Sequence, residues 1–243
     1  VSVTKRFTGE QAFLPRAQAL LEQAATAARE ARDVEQGLAG QLQIGFAGTV
    51  LYRGLPQVLR DFAAAHPKLR LALRELSSSE QLVELVHDRL DLGFVHTTRV
   101  PAGFSQILVS SQPFMACLPS SHPLAKKELL SLDQLKGEAF AIVMRAVSPD
   151  YHDRILAACA DAGFEPSLAL ELRHWLSVVS VIAQGLGVGL VPAALQQAGL
   201  PGVAFVPLAQ PLAPYDTHCL WRTGRDQAAL GAFLAAVREV AAR

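Results

Sequence analysis

The stretch that decides the fold is QLQIGFAGTVLYRGLPQVLRDFAAAHPKLRLALRELSSSEQLVELVHDRLDLGFV, residues 41–95. Alternating apolar residues predict strands at 42–46 and 69–74, and an apolar run predicts a buried strand at 92–95. Helices are predicted between these strands, at 49–65 and 77–89. The order strand–helix–strand–helix–strand is typical of a parallel, doubly wound α/β sheet.

The same kinds of pattern restart after Pro101 and predict a second α/β unit inserted into the first. The predicted strands lie near 106–109, 114–118, 140–142 and 188–191, and the helices near 149–161 and 175–184. The chain then returns to the first unit through 203–207, 217–221 and a last helix at 226–241. We therefore expect lobe I from residues 41–100 and 206–243, lobe II from residues 101–205, and a ligand cleft between them.

Residues 9–40 carry a helical pattern of a different period. The apolar positions follow one another at 4-3-4-3 spacing, which is the period of a coiled-coil contact. This seam consists of Phe13, Ala17, Leu20, Ala24, Ala27, Ala31, Val34 and Leu38. Thr8 or Gly9 begins the helix and Gly37 or Gly40 ends it. A stripe this narrow favours pairing with a helix of a second copy, over the alternative of an amphipathic helix lying on its own domain.

Charge and composition exclude several classes of protein. The 22 basic and 22 acidic residues cancel, whereas a chain that binds DNA or a membrane surface by itself usually has a basic excess. The three cysteines have no metal-ligand spacing and are expected to be reduced thiols of a cytoplasmic protein. No segment resembles a membrane span or a signal peptide, and the missing initiator Met suggests a fragment of a longer chain.

Short hydroxyl residues lie at four predicted helix starts, where ligands bind in open α/β sheets. They are Thr49 with its neighbours Gly48 and Val50, the pair Ser77 and Ser78, Ser148, and Ser177. Free N–H groups and the positive end of the helix dipole favour an anion at such starts. The alternative is that each residue is only a helix cap. If the four starts meet at one cleft, they predict a site for a small carboxylate.

Three larger side chains lie near the predicted cleft. His96 ends a buried strand, where it could contact an anion or be a satisfied polar residue of the interior. Tyr151 and Trp175 could form the wall of a pocket for an apolar ligand or pack inside lobe II. The residues alone leave both alternatives open.

An enzyme finds no support in the sequence. Gly185 to Gly189 resemble a dinucleotide loop, but the segment follows a helix and leads into a strand, the reverse of the required order. Phosphate loops, nucleophile elbows and metal-binding histidine pairs are absent. We therefore expect no catalytic residue, no metal and no cofactor.

Several motifs together resemble those of LysR-type transcriptional regulators. Gly40 to Gly45 are similar to the start of the family's effector domain, Leu55 to Phe62 to its first helix, and Leu90 to Phe94 to its LDLGF strand. His122-Pro123-Leu124 and the segment from Gln184 to Pro192 complete the set in the right order. The resemblance implies two Rossmann-like, periplasmic-binding-protein-like lobes, with residues 9–40 as a linker helix.

Within the family, Phe46 to Tyr52 resemble the branch that responds to benzoate and muconate. By that match, Thr49 and Ser78 hold an effector carboxylate, and Tyr151 falls on an aromatic pocket position. His96 falls where that branch can carry Arg. The resemblance therefore implies an aromatic-catabolism acid as the effector.

The resemblance also implies partners. A winged DNA-binding domain would precede residue 1, with residues 1–8 as the remnant of its wing and Lys5 and Arg6 on DNA. Two copies would pair through the seam into dimers or tetramers, and RNA polymerase is a further possible partner. The alternative is a solute-binding protein of a transport system, which shares the two-lobed fold.

Overall fold

The computed structural model of the protein describes residues 9–35, 39–97, 100–225 and 227–241. Two predictions fall outside the described residues: the DNA contacts of Lys5 and Arg6, and the end of the seam at Leu38. The elements follow one another as α1 (Gly9–Glu35), β1 (Gly40–Phe46), α2 (Leu55–Ala65), β2 (Leu69–Glu75), α3 (Ser78–Val86), β3 (Leu92–Val95), β4 (Phe104–Gln112), β5 (Phe114–Pro119), β6 (Ala139–Val143), α4 (Pro149–Asp161), β7 (Ser167–Leu172), α5 (Trp175–Ala183), β8 (Gly189–Pro192), β9 (Val203–Pro207), β10 (Tyr215–Arg222) and α6 (Ala228–Ala241). Three short 3-10 turns, at Gly48–Tyr52, Leu132–Leu135 and Ala193–Ala198, connect some of them.

Lobe I is built on a five-stranded sheet in the order β2-β1-β3-β10-β4. The strands β2, β1 and β3 are parallel, as predicted, whereas β10 runs antiparallel to both β3 and β4. The helices α2 and α6 pack on one face over a core that includes Ile44, Phe62 and Phe233. Gln81 of α3 lies on the other face, where Gly45 and Gly93 leave room for its side chain. The carboxyl ends of β1, β2 and β3 therefore meet at one edge of the sheet. The 3-10 turn at Gly48–Tyr52 and the helix α3 begin at this edge.

Lobe II contains a three-stranded sheet, β8-β5-β9, and the parallel pair β6-β7. A single backbone bridge between Phe140 and Val188 joins the two. The helices α4 and α5 cover them, and a continuous apolar core fills the lobe. Tyr151 is fully buried in that core.

The structure differs from the sequence prediction in five places. β4, which was assigned to lobe II, hydrogen-bonds to β10 in the sheet of lobe I, and β9, part of which was assigned to lobe I, lies in the sheet of lobe II. The chain therefore passes between the lobes near Pro113 and again after Leu208. The helix predicted at 49–65 is a 3-10 turn and a separate α2, because Gly54 adopts a φ of 91° that interrupts it. β7 was not predicted, and a helix predicted to 89 ends at Val86.

The helix α1 carries the predicted seam. Phe13 and Leu20 expose 71% and 65% of their surface in the single chain. Ala24, Ala27 and Ala31 are also exposed, and Ala17 is half-buried. Burying such side chains against a second helix is favourable at roughly 25 cal/mol per Å². Across the described ranges, no helix combines the length and the apolar character that crossing a membrane requires.

Candidate functional site

A cavity of about 500 Å³ opens between the two lobes. Its walls come from the carboxyl ends of β1, β2 and β3, from the segment before α4, from the start of α5 and from β10. The lining residues are Ala47, Gly48, Thr49, Leu51, Tyr52, Glu75, Leu76, Ser77, Ser78, Glu80, His96, Val147, Ser148, Arg173, His174, Trp175, Leu176, Leu195 and Tyr215. A volume of this order suits a small organic molecule.

A buried hydrogen-bond network forms the floor of the cavity. The Thr49 hydroxyl lies 2.6 Å from Nε2 of His96, and the backbone N–H of His96 donates to Oγ of Ser78 over 2.9 Å. On its other side, Nδ1 of His96 lies 3.1 Å from the backbone carbonyl of Asp216. All of these side chains are less than 9% exposed. The network ties the ends of β1 and β3 and the start of α3 to β10.

The protonation state of His96 follows from these partners. Burial, reinforced by the nearby Arg53 charge, lowers the pKa of His96 to about 3, so the ring is neutral at neutral pH. The Asp216 carbonyl only accepts hydrogen bonds, and the Thr217 hydroxyl, 3.2 Å from Nδ1, can accept as well, so a proton on Nδ1 satisfies both neighbours. Nε2 is then an acceptor, and the Thr49 hydroxyl donates to it. The Thr49 oxygen keeps only lone pairs for a ligand.

Tyr215 closes the back of the cavity. Its ring stacks on His96 at a centroid distance of 4.2 Å, and its hydroxyl lies 3.1 Å from Oγ of Ser148 at the start of α4. Trp175 meets the same ring edge-on at 5.7 Å. Burial raises the pKa of Tyr215 to about 12, so the phenol stays protonated. Apolar and aromatic surface therefore faces the ligand space from both lobes.

A buried cation lies behind this floor. Nη1 of Arg53 donates to Oγ1 of Thr217 over 2.6 Å and to the carbonyl of Tyr215 over 3.0 Å. Its guanidinium carbon lies 5.5 Å from the centroid of the Tyr215 ring. Burial lowers the pKa of Arg53 to about 10, which leaves it charged at neutral pH. Arg53 is not among the lining residues, but its charge lies directly behind them.

An ion pair bridges the two lobes at the cavity. Nη2 of Arg173, which precedes α5, donates to Oε1 of Glu80 in α3 over 2.8 Å. The other carboxylate oxygen of Glu80 accepts the backbone N–H of Ser77 over 2.8 Å, and the Ser77 hydroxyl accepts from the backbone N–H of Glu80, which completes a capping box. These hydrogen bonds, with that of Arg173, lower the pKa of Glu80. A ligand that competes for Arg173 or Glu80 would therefore change a contact between the lobes.

The start of α5 offers unused donors. Its first residues follow His174, whose side chain makes no capping hydrogen bond. The first N–H groups of a helix have no partner within the helix, and the dipole adds a partial positive charge there. This end of the cavity can accept an anionic group.

Six of the predicted ligand residues line this one cavity. They are Gly48, Thr49, Ser77, Ser78, His96 and Ser148, from segments that are far apart in sequence. Trp175, named as a possible pocket wall, lines it too. The side chains of Thr49 and His96 face each other, which the sequence did not predict.

Three predicted ligand residues lie elsewhere. Val50 is fully buried in the core of lobe I. Tyr151 points inward from α4 and donates its hydroxyl to the carbonyl of Leu190 over 3.0 Å, so it packs the core of lobe II. Ser177 is half-buried in the first turn of α5 but is not part of the lining. For Tyr151, the packing alternative is therefore correct.

Sequence reasoning missed Glu75, Arg173 and Tyr215. The first two come just before the starts of α3 and α5, so the rule that pointed to hydroxyl residues at helix starts could have found them. Tyr215 begins a strand with no recognisable motif. Among the described residues, no group of His, Cys, Asp or Glu side chains could hold a metal ion.

The sequence-family model of the LysR substrate binding domain matches residues 35–242 of this chain. The chain belongs to this family. Two curated relatives are the regulator CatR of Pseudomonas putida, 33% identical over 73% of this chain and 61% of its own length, and AlsR of Bacillus subtilis, 29% identical over 80% and 66%. YnfL of Escherichia coli is 28% identical over 93% of this chain and 76% of its own length. The chain thus spans about two thirds of the length of such relatives, which are transcriptional regulators and not enzymes.

Solved structures give the same fold. The BenM effector-binding domain with its effector benzoate has a TM-score of 0.71 and 26% identity, over 83% of this chain and 92% of that one. Full-length CbnR with its target DNA has a TM-score of 0.80 over 97% of this chain and 80% of that one, and its 22% identity makes this a likeness of fold. The two lobes are those of a LysR substrate-binding domain, with the periplasmic-binding-protein-like fold that the sequence predicted.

Proposed function

We propose that the chain is the effector-sensing and oligomerisation part of a LysR-type transcriptional regulator, and that its effector is a small carboxylate bound in the cavity between the lobes. The observation that carries the proposal is the convergence of Thr49, Ser78, Ser148 and the start of α5 on one cavity with aromatic walls. The carboxylate accepts hydrogen bonds from Ser78 and from the free N–H groups of α5, and Arg173 lies beside them.

The effector acts by shifting the balance between two arrangements of the lobes. It can do this only if it binds one arrangement more tightly than the other. A bound ligand would compete most directly for the ion pair of Arg173 and Glu80, because this pair joins the lobes at the cavity itself. Ligand closure on Arg173 would weaken its hold on Glu80 and free the lobes to move.

The helix α1 supplies the oligomerisation surface of this proposal. Phe13 and Leu20 lie on a seam that a single chain leaves exposed, and a second α1 would cover them. A DNA-binding domain, with Lys5 and Arg6 in the remnant of its wing, would sit at the amino-terminal end of the paired helices. Action on bacterial DNA implies a cytoplasmic protein, and RNA polymerase is a further proposed partner.

Calorimetric titration with aromatic and dicarboxylic acids tests the effector proposal. Ser78→Ala removes a hydroxyl that can donate to the carboxylate and should weaken the best ligand about tenfold, because a hydrogen bond to a charged group contributes about 1.5 kcal/mol. Ser180→Ala is the matched control, because Ser180 lies on α5, is exposed and bonds only within its helix. If Ser78→Ala changes the affinity no more than this control does, the proposed site is wrong.

A further inference from the structure

Glu75 places a second carboxylate, besides that of Glu80, in the lining of the cavity. It is the last residue of β2, lines the cavity and is exposed to solvent. Among the residues that the structure describes, no side chain or backbone group pairs with its carboxylate. Glu80, the other acidic residue of the lining, is already paired with Arg173 and with the backbone of Ser77.

Gly48 makes room for this carboxylate. A Cβ atom at residue 48 would lie 2.6 Å from Oε1 of Glu75, closer than real contacts allow. The backbone of Gly48 does not have the positive φ that would demand glycine. Glycine at this position therefore lets the flexible side chain of Glu75 approach the main chain at the cavity edge.

The neighbouring hydroxyl adds a second acceptor on the same side. Thr49 donates its proton to the neutral His96, so its oxygen can only accept from a ligand. An ionised carboxylate likewise only accepts. The edge of the cavity formed by Gly48, Thr49 and Glu75 therefore matches a hydrogen-bond donor, and it would repel a second anionic group.

The lobe II wall of the cavity has the reverse character. Arg173 and the uncapped start of α5 are donors from lobe II. With Arg53 behind the floor, the four charged side chains Glu75, Glu80, Arg173 and Arg53 sum to zero. The cavity is thus neutral as a whole but has an acceptor side and a donor side.

We propose that the effector is a small aromatic carboxylate that also carries an ammonium or another N–H donor, and that Glu75 binds this donor. This inference rests on the proposed function, because it assumes that the cavity is the effector site. It narrows the ligand class to carboxylates that also carry a donor. A simple monoanion leaves Glu75 without a partner, and a dicarboxylate places a second negative group against Glu75.

The test is a calorimetric series on a common ring: benzoate, 3-(aminomethyl)benzoate and 4-(aminomethyl)benzoate, which differ in the added aminomethyl group, charged at neutral pH, and in its position on the ring. At least one aminomethyl compound should bind the intact chain about tenfold more tightly than benzoate, since a hydrogen bond to a partly exposed charged group has about that effect. Glu75→Gln should remove most of this advantage and leave benzoate unchanged or slightly tighter.

Two further variants sharpen the result. Gly48→Ala keeps the charge but forces the Glu75 carboxylate to move, so it should also reduce the advantage of the aminomethyl compound. Glu165→Gln makes the same charge change at an exposed residue that does not line the cavity, and it should alter nothing. Equal thermal stability of the variants shows that each is folded.

The two proposals fail in different ways. If benzoate binds at least as tightly as both aminomethyl compounds, or if their advantage survives Glu75→Gln, the role of Glu75 is refuted and the effector cavity stands. If none of the three compounds binds the intact chain, the proposed effector class fails, and the role of Glu75 fails with it.

Discussion

The hydrogen bond between Thr49 and His96 leads to the sharpest prediction on stability. Thr49→Val keeps the shape of the side chain and removes only the hydroxyl. Nε2 of His96 is then a buried acceptor without a donor, because both residues are at most 5% exposed and the bond is 2.6 Å long. An unsatisfied buried group costs about 1–3 kcal/mol.

A loss of about 2 kcal/mol lowers the melting temperature of a chain of this size by roughly 4–8 °C. Urea unfolding at pH 7 measures the free energy directly, and a thermal melt checks it. Thr223→Val is the control, because Thr223 is exposed and its hydroxyl bonds, at the surface, to the half-buried Ser105. We expect that variant to stay within about 0.5 kcal/mol of the parent chain.

A double-mutant cycle isolates the pair. In a His96→Phe background the acceptor is gone, so Thr49→Val should cost little or should stabilise the chain. The reasoning is refuted if Thr49→Val costs no more than Thr223→Val, or if its cost is the same with and without His96.

Three further predictions concern other parts of the molecule. The pKa of His96 is about 3 in the folded chain and ordinarily about 6.5 in the unfolded chain, so the folded state strongly prefers the neutral ring. The stability that depends on this neutral ring is therefore complete above pH 6.5 and is lost as the pH falls toward 3. The free energy of unfolding, from urea titrations, should therefore fall between pH 7 and pH 5 by about 2 kcal/mol more in the parent chain than in His96→Phe, and equal decreases would contradict the assignment. Tyr151→Phe should destabilise lobe II by about 1 kcal/mol but leave ligand affinity within twofold, because the Tyr151 hydroxyl bonds inside the core. A larger change in affinity, measured by calorimetry, would show that Tyr151 contacts the ligand. Leu20→Glu should convert a dimer to a monomer in sedimentation analysis, whereas Gln18→Glu, off the seam, should not; a parent chain that is monomeric would rule out the α1 pairing.

The elements that the sequence predicts well are those with a strong local pattern. The parallel strands β1, β2 and β3 follow from alternation and apolar runs, and the bounds of α4 follow from Pro149 at its first turn. β7 was missed although its residues alternate as a strand requires, and its leucines are only half-buried. The break at Gly54 depends on a backbone conformation that its neighbours do not reveal.

The long-range features could not be predicted in the same way. Whether β4 pairs in lobe I or lobe II depends on β10, which follows it by about a hundred residues. The hydroxyl residues of the cavity were predicted because helix starts and strand ends meet at one edge of a sheet. The burial of Tyr151, the proton direction between Thr49 and His96, and the position of Glu75 over Gly48 depend on contacts between distant segments, so only the structure contains them.

The central claim is that a small carboxylate binds between the lobes, and a crystal structure of the chain with a ligand from the calorimetric series tests it most directly. We expect electron density for the carboxylate at Ser78, Arg173 and the first turn of α5, with the ring against Trp175 and Tyr215. Density for the ligand at another place, with this cavity containing only water, would contradict it.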